Sequence, residues 1–199
     1  MLKINCISKS FDGKEVIKDL SLTLPDSGIF ALCGASGHGK STLLSLIAGL
    51  KNPDSGAIET GGARISMSFQ EPRLIPSLTA LQNVNLVLGG KKTTLPTAEA
   101  LLYELGISEI NAYPSELSGG MKARVSVARA LAVKADVYLF DEPFASLDEE
   151  TAALTASVIR SHTSGALVLA VTHDVAAARD FADGILIFDE TPISAARSI

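Results

Sequence analysis

Apolar and polar residues alternate in two stretches near the start of the chain, "LKINCISKSF" and "EVIKDLSLTL", on either side of "DGK". A period of two is what a strand with one buried face shows, and Asp-Gly between two such runs predicts a tight antiparallel connection. The next apolar run, "GIFALCG", is continuous, as in a strand buried on both faces. It leads into a glycine-rich loop, after which "STLLSLIAGL" takes helical spacing. "KNPDSG" reads as a turn cluster, and "ARISMSF" as a further strand ending at Gln70.

From about residue 71 to 132 the pattern changes. "LTALQNVNLVL", "TAEALLYELG" and the run after Gly120 have helical spacing, with no strand between them. Alternation of elements then resumes: strand "VYLF", helix "TAALTASVIRSH", strand "ALVLAVT", helix "VAAARDFA", strand "GILIF". This order predicts an α/β fold with a parallel-sheet core, a small N-terminal antiparallel β subdomain and an inserted α-helical subdomain, all in one domain over residues 1–199.

Composition narrows the picture. With 199 residues, 47% of them hydrophobic, the chain can bury one good-sized core. Its net charge of −5 argues against a general basic surface for nucleic acid. No apolar run approaches the roughly 20 residues that cross a bilayer, and the alternating start is unlike a secretory segment, so the chain is expected to stay in the cytosol. Cys6 and Cys33 sit in strand-like runs without metal-ligand spacing and are expected to be buried free thiols.

The glycine-rich loop carries the first candidate chemistry. Gly34-Ala35-Ser36-Gly37-His38-Gly39-Lys40-Ser41-Thr42 fits the P-loop pattern, with the required strand before it and helix after it. Glycines let backbone N–H groups curl around phosphate oxygens, and the helix N-terminus adds partial positive charge. Lys40 supplies a mobile cation and Ser41 a hydroxyl for Mg²⁺. The strand "VYLF" delivers Asp141 to its C-terminal end, where a carboxylate can hold Mg²⁺ through water. Glu142 follows at once and can polarise a water for in-line attack. His173, just past another apolar strand, is either a structural histidine or a γ-phosphate contact.

One further stretch is unexplained by a P-loop alone. "SELSGGMKARVSVARAL" places Ser118, Gly119 and Gly120 directly before a helical run. Two glycines at that position mark either a simple cap or a second site where bare N–H groups meet an anion.

Together these residues resemble the ATP-binding, or nucleotide-binding, subunit of ABC transporters, over nearly the whole chain. "LSGGM" is similar to the signature sequence that this family has and ordinary P-loop enzymes lack. The resemblance implies a P-loop NTPase core whose cofactors are ATP and Mg²⁺. It also implies a head-to-tail dimer with a second ATPase subunit, in which Ser118, Gly119 and Gly120 of one chain bind the γ-phosphate held on the other's P-loop. Position by position, it implies that Phe11 stacks on adenine, that Gln70 touches Mg²⁺ and links the site to the membrane partner, and that Asp148 crosses the dimer interface. From the residues alone, an isolated Phe beside a hairpin, such as Phe11, is more often core, and a solvated helix N-cap is the rival reading of Asp148. Met121 stands where many members have Gln, and Ala145-Ser146 reverses the more usual order.

The function so implied is ATP hydrolysis that powers solute transport, with import favoured, through separate membrane permease subunits and indirectly a solute-binding protein, without nucleic acid. The chain would then be cytoplasmic and peripheral on the inner face of the cell membrane, with no room for a C-terminal regulatory domain. "FQEPRLIPSLTALQNV" is most similar to the branch for nitrate, sulfonate and taurine uptake. Two other classes stay in view: an ABC-type ATPase acting on DNA, which usually carries coiled coils, and a small-molecule kinase, which leaves "LSGGM" without a use.

Overall fold

The Asp-Gly connection forms as the alternation predicts. In the computed structural model, which describes residues 1–198, strands β1 (Leu2–Phe11) and β2 (Lys14–Leu24) pair antiparallel. Asp12 and Gly13 between them both take positive φ, 49° and 79°, the twist a two-residue hairpin needs. Strand β3 (Gly28–Cys33) runs through the glycine loop into helix α1 (Lys40–Ile47). Then come β4 (Ser55–Glu59) and β5 (Ile65–Ser68), helices α2 (Ala80–Val87), α3 (Leu95–Glu104) and α4 (Gly119–Leu131), and strand β6 (Val137–Asp141). Helix α5 (Glu149–His162), β7 (Leu167–Val171), α6 (Val175–Phe181), β8 (Gly184–Ile187) and β9 (Arg197–Ser198) complete the order.

The residues fall into two compact units: Met1–Ile65 with Ala135–Asp141 and the chain from Gly165 on, and Ser66–Lys134 with Glu142–Ser164. The first holds a small sheet of order β2-β1-β4 and the body of a larger one of order β5-β6-β7-β3-β8-β9. Strand β5 carries the chain from the first unit into the second. The pairs β6–β7, β7–β3 and β3–β8 are parallel, and every residue of β6 and β7 is buried, as continuous apolar runs require. The pair β8–β9, at one edge, is antiparallel.

Two expectations need correction here. Strand β4 lies in a stretch that reads as turn and the start of nothing regular, and it makes the small sheet three-stranded. Cys33 is buried, but Cys6 is exposed. The cause is a β-bulge: the register of β1 against β2 slips between Ile4 and Ile7, with Cys6 at φ 45°. The buried phase passes from Leu2 and Ile4 to Ile7, and Cys6 is left outside. A Cβ on Gly56 in β4 would come within 2.3 Å of the Cys6 carbonyl oxygen, so the strand facing the bulge needs glycine there.

In the second unit α2, α3 and α4 pack on one another around Val84, Leu101, Leu102, Val125 and Ala128, all buried, and α5 packs on α4. Helix α2 opens with a capping box between Thr79 and Gln82. The loop before it wraps around Asn83, which is fully buried. Asn83 donates to the carbonyls of Ile75, Leu78 and Thr79 at 3.2, 2.9 and 3.0 Å, and accepts from the Ile75 N–H at 2.8 Å.

Candidate functional site

The parallel register brings three sequence-predicted pieces to one edge of the first unit's sheet. Asp141, the last residue of β6, pairs with Val171 of β7, and Val171 pairs with Leu32 of β3. The carboxylate, the loop after Cys33 and His173, two residues beyond Val171, therefore emerge together at the C-terminal ends of the strands. That edge is where open α/β sheets bind ligands. His173 is exposed there.

The loop's shape follows from its glycines. Gly34, Gly37 and Gly39 have φ of 146°, 80° and 94°. At Gly34 a Cβ would lie 2.4 Å from the Phe188 carbonyl oxygen, and at Gly39 2.5 Å from Val16 Cγ1, so neither position accepts a side chain. A Cβ on Gly37 would meet nothing within 4 Å, which leaves the tip of the loop open. Ala35 and Ser36 are exposed. His38 turns its Nδ1 to the Phe188 carbonyl at 3.3 Å.

Lys40 is 5% exposed, and its ammonium donates to the carbonyls of Gly34 at 2.7 Å and Ala35 at 2.8 Å. The Ser41 hydroxyl donates to Asp141 Oδ1 at 2.9 Å. Thr42 is half-buried in the first turn of α1. That turn has Gly39 as its N-cap, no side-chain cap and no acidic residue. Its main-chain N–H groups are thus offered to an anion rather than to a side chain of the helix itself.

This donor set fits a polyphosphate with a hard divalent cation. Uncapped amides and a buried lysine suit phosphate oxygens. A hydroxyl beside a carboxylate suits Mg²⁺, which takes few protein ligands and completes its shell with phosphate and water. Among the described residues no group of three or more His, Cys, Asp or Glu could hold a metal unaided. Phe11, at the end of β1, is 36% exposed, and the ammoniums of Lys9 and Lys51 lie 5.5 and 4.9 Å from its ring centroid.

The second unit assembles the other candidates. Ser118 is the N-cap of α4, its hydroxyl accepting from the Met121 N–H at 3.2 Å. The two glycines after it differ. A Cβ on Gly119 would meet nothing within 4 Å, whereas one on Gly120 would lie 3.0 Å from Leu147 Cδ2 and 3.1 Å from the Ser146 carbonyl. Gly120 therefore lets the Ser146–Leu147 turn approach the head of α4. Asp148 follows that turn as the N-cap of α5, accepting from the Thr151 N–H at 2.8 Å and the Thr151 hydroxyl at 3.0 Å. These two bonds, the backbone one first, hold its carboxyl below the usual carboxylate value. Gln70 is exposed just past β5, and Glu142 sits at φ 53° with its carbonyl accepting from the Ala145 N–H at 3.2 Å.

Two arginines of α4 escape a reading by motif. Arg124 donates to the carbonyls of Leu105 and Gly106 at 2.7 and 3.0 Å, fixing the end of α3 to the head of α4. Arg129 donates to the carbonyls of Pro72 and Arg73. The signal was a long cation placed among small apolar residues, as in "VARAL".

Residues 17–145 match the ABC transporter family. The chain is 36% identical to the arginine transport ATP-binding protein ArtM of Bacillus subtilis, over 96% of this chain and 88% of that one. It is 39% identical to the aliphatic sulfonates import ATP-binding protein SsuB of Corynebacterium glutamicum, over 94% and 80%. Its fold is similar to a dimeric ATP-binding cassette in a post-hydrolysis state with ADP and Pi, at TM-score 0.90 and 27% identity, covering 100% of this chain and 98% of that one. The nucleotide-ready loop, the glycine-headed second helix and these likenesses agree: this chain belongs to the ABC transporter family and is one of its ATPase cassettes.

Proposed function

We propose that two copies of this chain pair head to tail around two ATP and drive import of a small solute through separate permease subunits, on the cytoplasmic face of the cell membrane. A solute-binding protein would deliver the cargo. The observation that carries this reading is the pair of glycine-opened helix starts. Helix α1 has no side-chain cap, and α4 has open space at Gly119. A lone nucleotide holder needs the first of these; a site completed by a partner needs both.

In this reading Lys40 and the amides of Gly37 to Thr42 hold the phosphates, with Ala35 and Ser36 shaping the loop. Phe11 stacks on the base. Ser41, Asp141 and Gln70 hold Mg²⁺, which supplies positive charge against the phosphate oxygens. Glu142 orients and deprotonates the attacking water, and His173 hydrogen-bonds the γ-phosphate. Ser118, Gly119 and Gly120 grip that phosphate from the partner chain, with Asp148 beside them. The names of ArtM and SsuB, which specify transport of arginine and import of aliphatic sulfonates, support uptake of a small organic solute. Among the described residues no helix is long and apolar enough to cross a membrane, so the membrane passage is assigned to other polypeptides.

The loop held by Asn83 is the surface assigned to the permease. It follows Gln70 directly, and Ile75 in it is an exposed apolar side chain. A photo-crosslinker at Leu74 or Leu78 is expected to capture the permease in membranes that contain the assembled transporter. Crosslinks found only from the β1–β2 hairpin would move the docking surface elsewhere.

A further inference from the structure

Three side-chain ties join strand β5 and the loop beyond it to α4, all inside the second unit. The Ser66 hydroxyl donates to the Ala130 carbonyl at 2.7 Å. The hydroxyls of Ser68 and Ser126, both buried, meet at 3.0 Å. Arg129 then reaches past Gln70: Nη2 donates to the Pro72 carbonyl at 2.7 Å and Nη1 to the Arg73 carbonyl at 2.9 Å.

The loop is also closed on itself. The Arg73 guanidinium lies 4.2 Å from the centre of the Phe69 ring, with Arg73 at φ 46°. Gln70 and Glu71 are thus the apex of a turn whose base is pinned by Phe69 and Arg73 and whose exit, Pro72 and Arg73, is gripped by Arg129. Two adjacent carbonyls matched by the two arms of one guanidinium is a geometry that lysine, a single point donor, cannot reproduce. Burial lowers the Arg129 guanidinium from its ordinary value, so its desolvation is offset by carbonyls fixed in place.

We propose that Arg129 is a positioning residue: it fixes the Gln70 turn to α4, so that the segment bearing Gln70 and the helix headed by Ser118 move as one piece. The proposal rests on the reading that Gln70 works at the nucleotide. A change felt at Gln70 reaches the Ser118 end of α4 through a rigid helix rather than through a slack loop, and the reverse holds equally.

The test uses the full chain with Cys6→Ser, which leaves Cys33 buried, and a nitroxide attached at Glu71→Cys. With Arg129 present the label spectrum is expected to be broad and immobilised. Arg129→Ala should add a fast component, and Arg129→Lys should fall between. Arg129→Ala, in a chain with Gln70 intact, should lower kcat about tenfold or more while KM for ATP moves less than about threefold, since the lost constraint is on placement and not on nucleotide affinity. A loss of folded chain lowers apparent kcat with KM unchanged as well, so the rate is taken per nucleotide-binding site, counted by titration with a fluorescent ATP analogue. The double variant Gln70→Ala/Arg129→Ala should turn over no more slowly than Gln70→Ala alone. Should Arg129→Ala fail to fold, Arg129→Lys carries the same comparisons. Unchanged label spectra, or rate losses that multiply in the double variant, would overturn the proposal. Normal turnover in Gln70→Ala would instead remove the role given to Gln70, with the label spectra still deciding whether Arg129 holds the turn.

Discussion

Lys40 shows how much one residue can be asked to do. An ammonium that is 5% exposed loses its hydration, and the Gly34 and Ala35 carbonyls, at 2.7 and 2.8 Å, replace part of it. Those carbonyls belong to the loop proposed to hold the phosphates, so in that reading the same cation shapes the loop and charges it. Lys40→Ala is therefore expected to lose both effects. A charge-assisted hydrogen bond contributes roughly 1.5–3 kcal/mol, which corresponds to about a ten- to hundredfold weaker grip on ATP and a larger loss of turnover. Titration with a fluorescent ATP analogue and phosphate release measure the two. Normal hydrolysis by a folded Lys40→Ala chain would remove the phosphate role from this loop. The strand, loop and helix around Lys40 were legible because glycines, lysine and serine at fixed spacing follow a continuous apolar run and precede a helical one. The sequence did not disclose why Gly34 and Gly39 must be glycine, since the Phe188 carbonyl and Val16 that exclude a Cβ come from distant parts of the chain.

At the scale of elements, legibility followed periodicity. Strands β6 and β7 were plain because both faces are buried. Strand β4, "SGAIE", has an exposed pattern, with Gly56 placed for the bulge at Cys6, and nothing local marks it. The bulge also shifted the phase of β1 and turned Cys6 outward, a displacement that an alternation rule cannot contain. Helix starts were better read. The sequence reads Asp148 as an interface residue with a helix cap as rival, and the structure shows the capping bonds to Thr151 at the start of α5, which an interface role does not exclude. Its carboxyl titrates below the ordinary 3.8 because the Thr151 N–H and hydroxyl favour the charged form. The stabilising effect is thus complete above pH 3.8 and fades as pH falls through the lower folded value. Asp148→Asn keeps an oxygen for the Thr151 N–H but no titration. The variant is expected to melt slightly below the parent at pH 7, with the gap closing between pH 4 and the acid limit. Circular-dichroism melts across that range check it, and a gap independent of pH would assign the lowered value to some other cause.

At the scale of the whole molecule, the nucleotide loop and the glycine-headed helix lie in different compact units of one chain. If each ATP is held by one copy's P-loop and completed by the other copy's Ser118, Gly119 and Gly120, binding and cleavage can be separated. Glu142→Gln keeps the size of the side chain but removes the base, so it should bind ATP, hydrolyse it slowly and accumulate a closed dimer. Mass action then favours dimer with ATP and monomer with ADP, by an amount set by the differential affinity of the nucleotide for the closed state. Ser118→Arg added to Glu142→Gln should abolish the dimer while each copy's own loop still binds ATP. Because Ser118 also caps α4, Gly119→Arg is the cleaner partner variant: a Cβ there meets nothing within 4 Å, so the fold has no reason to suffer. Sedimentation velocity with ATP and Mg²⁺ reads the outcome, and analogue binding confirms that the P-loop is intact. A Glu142→Gln chain that stays monomeric at high concentration with ATP, or arginine variants that dimerise as well as their parent, would reduce Ser118 and its glycines to the start of a helix and nothing more.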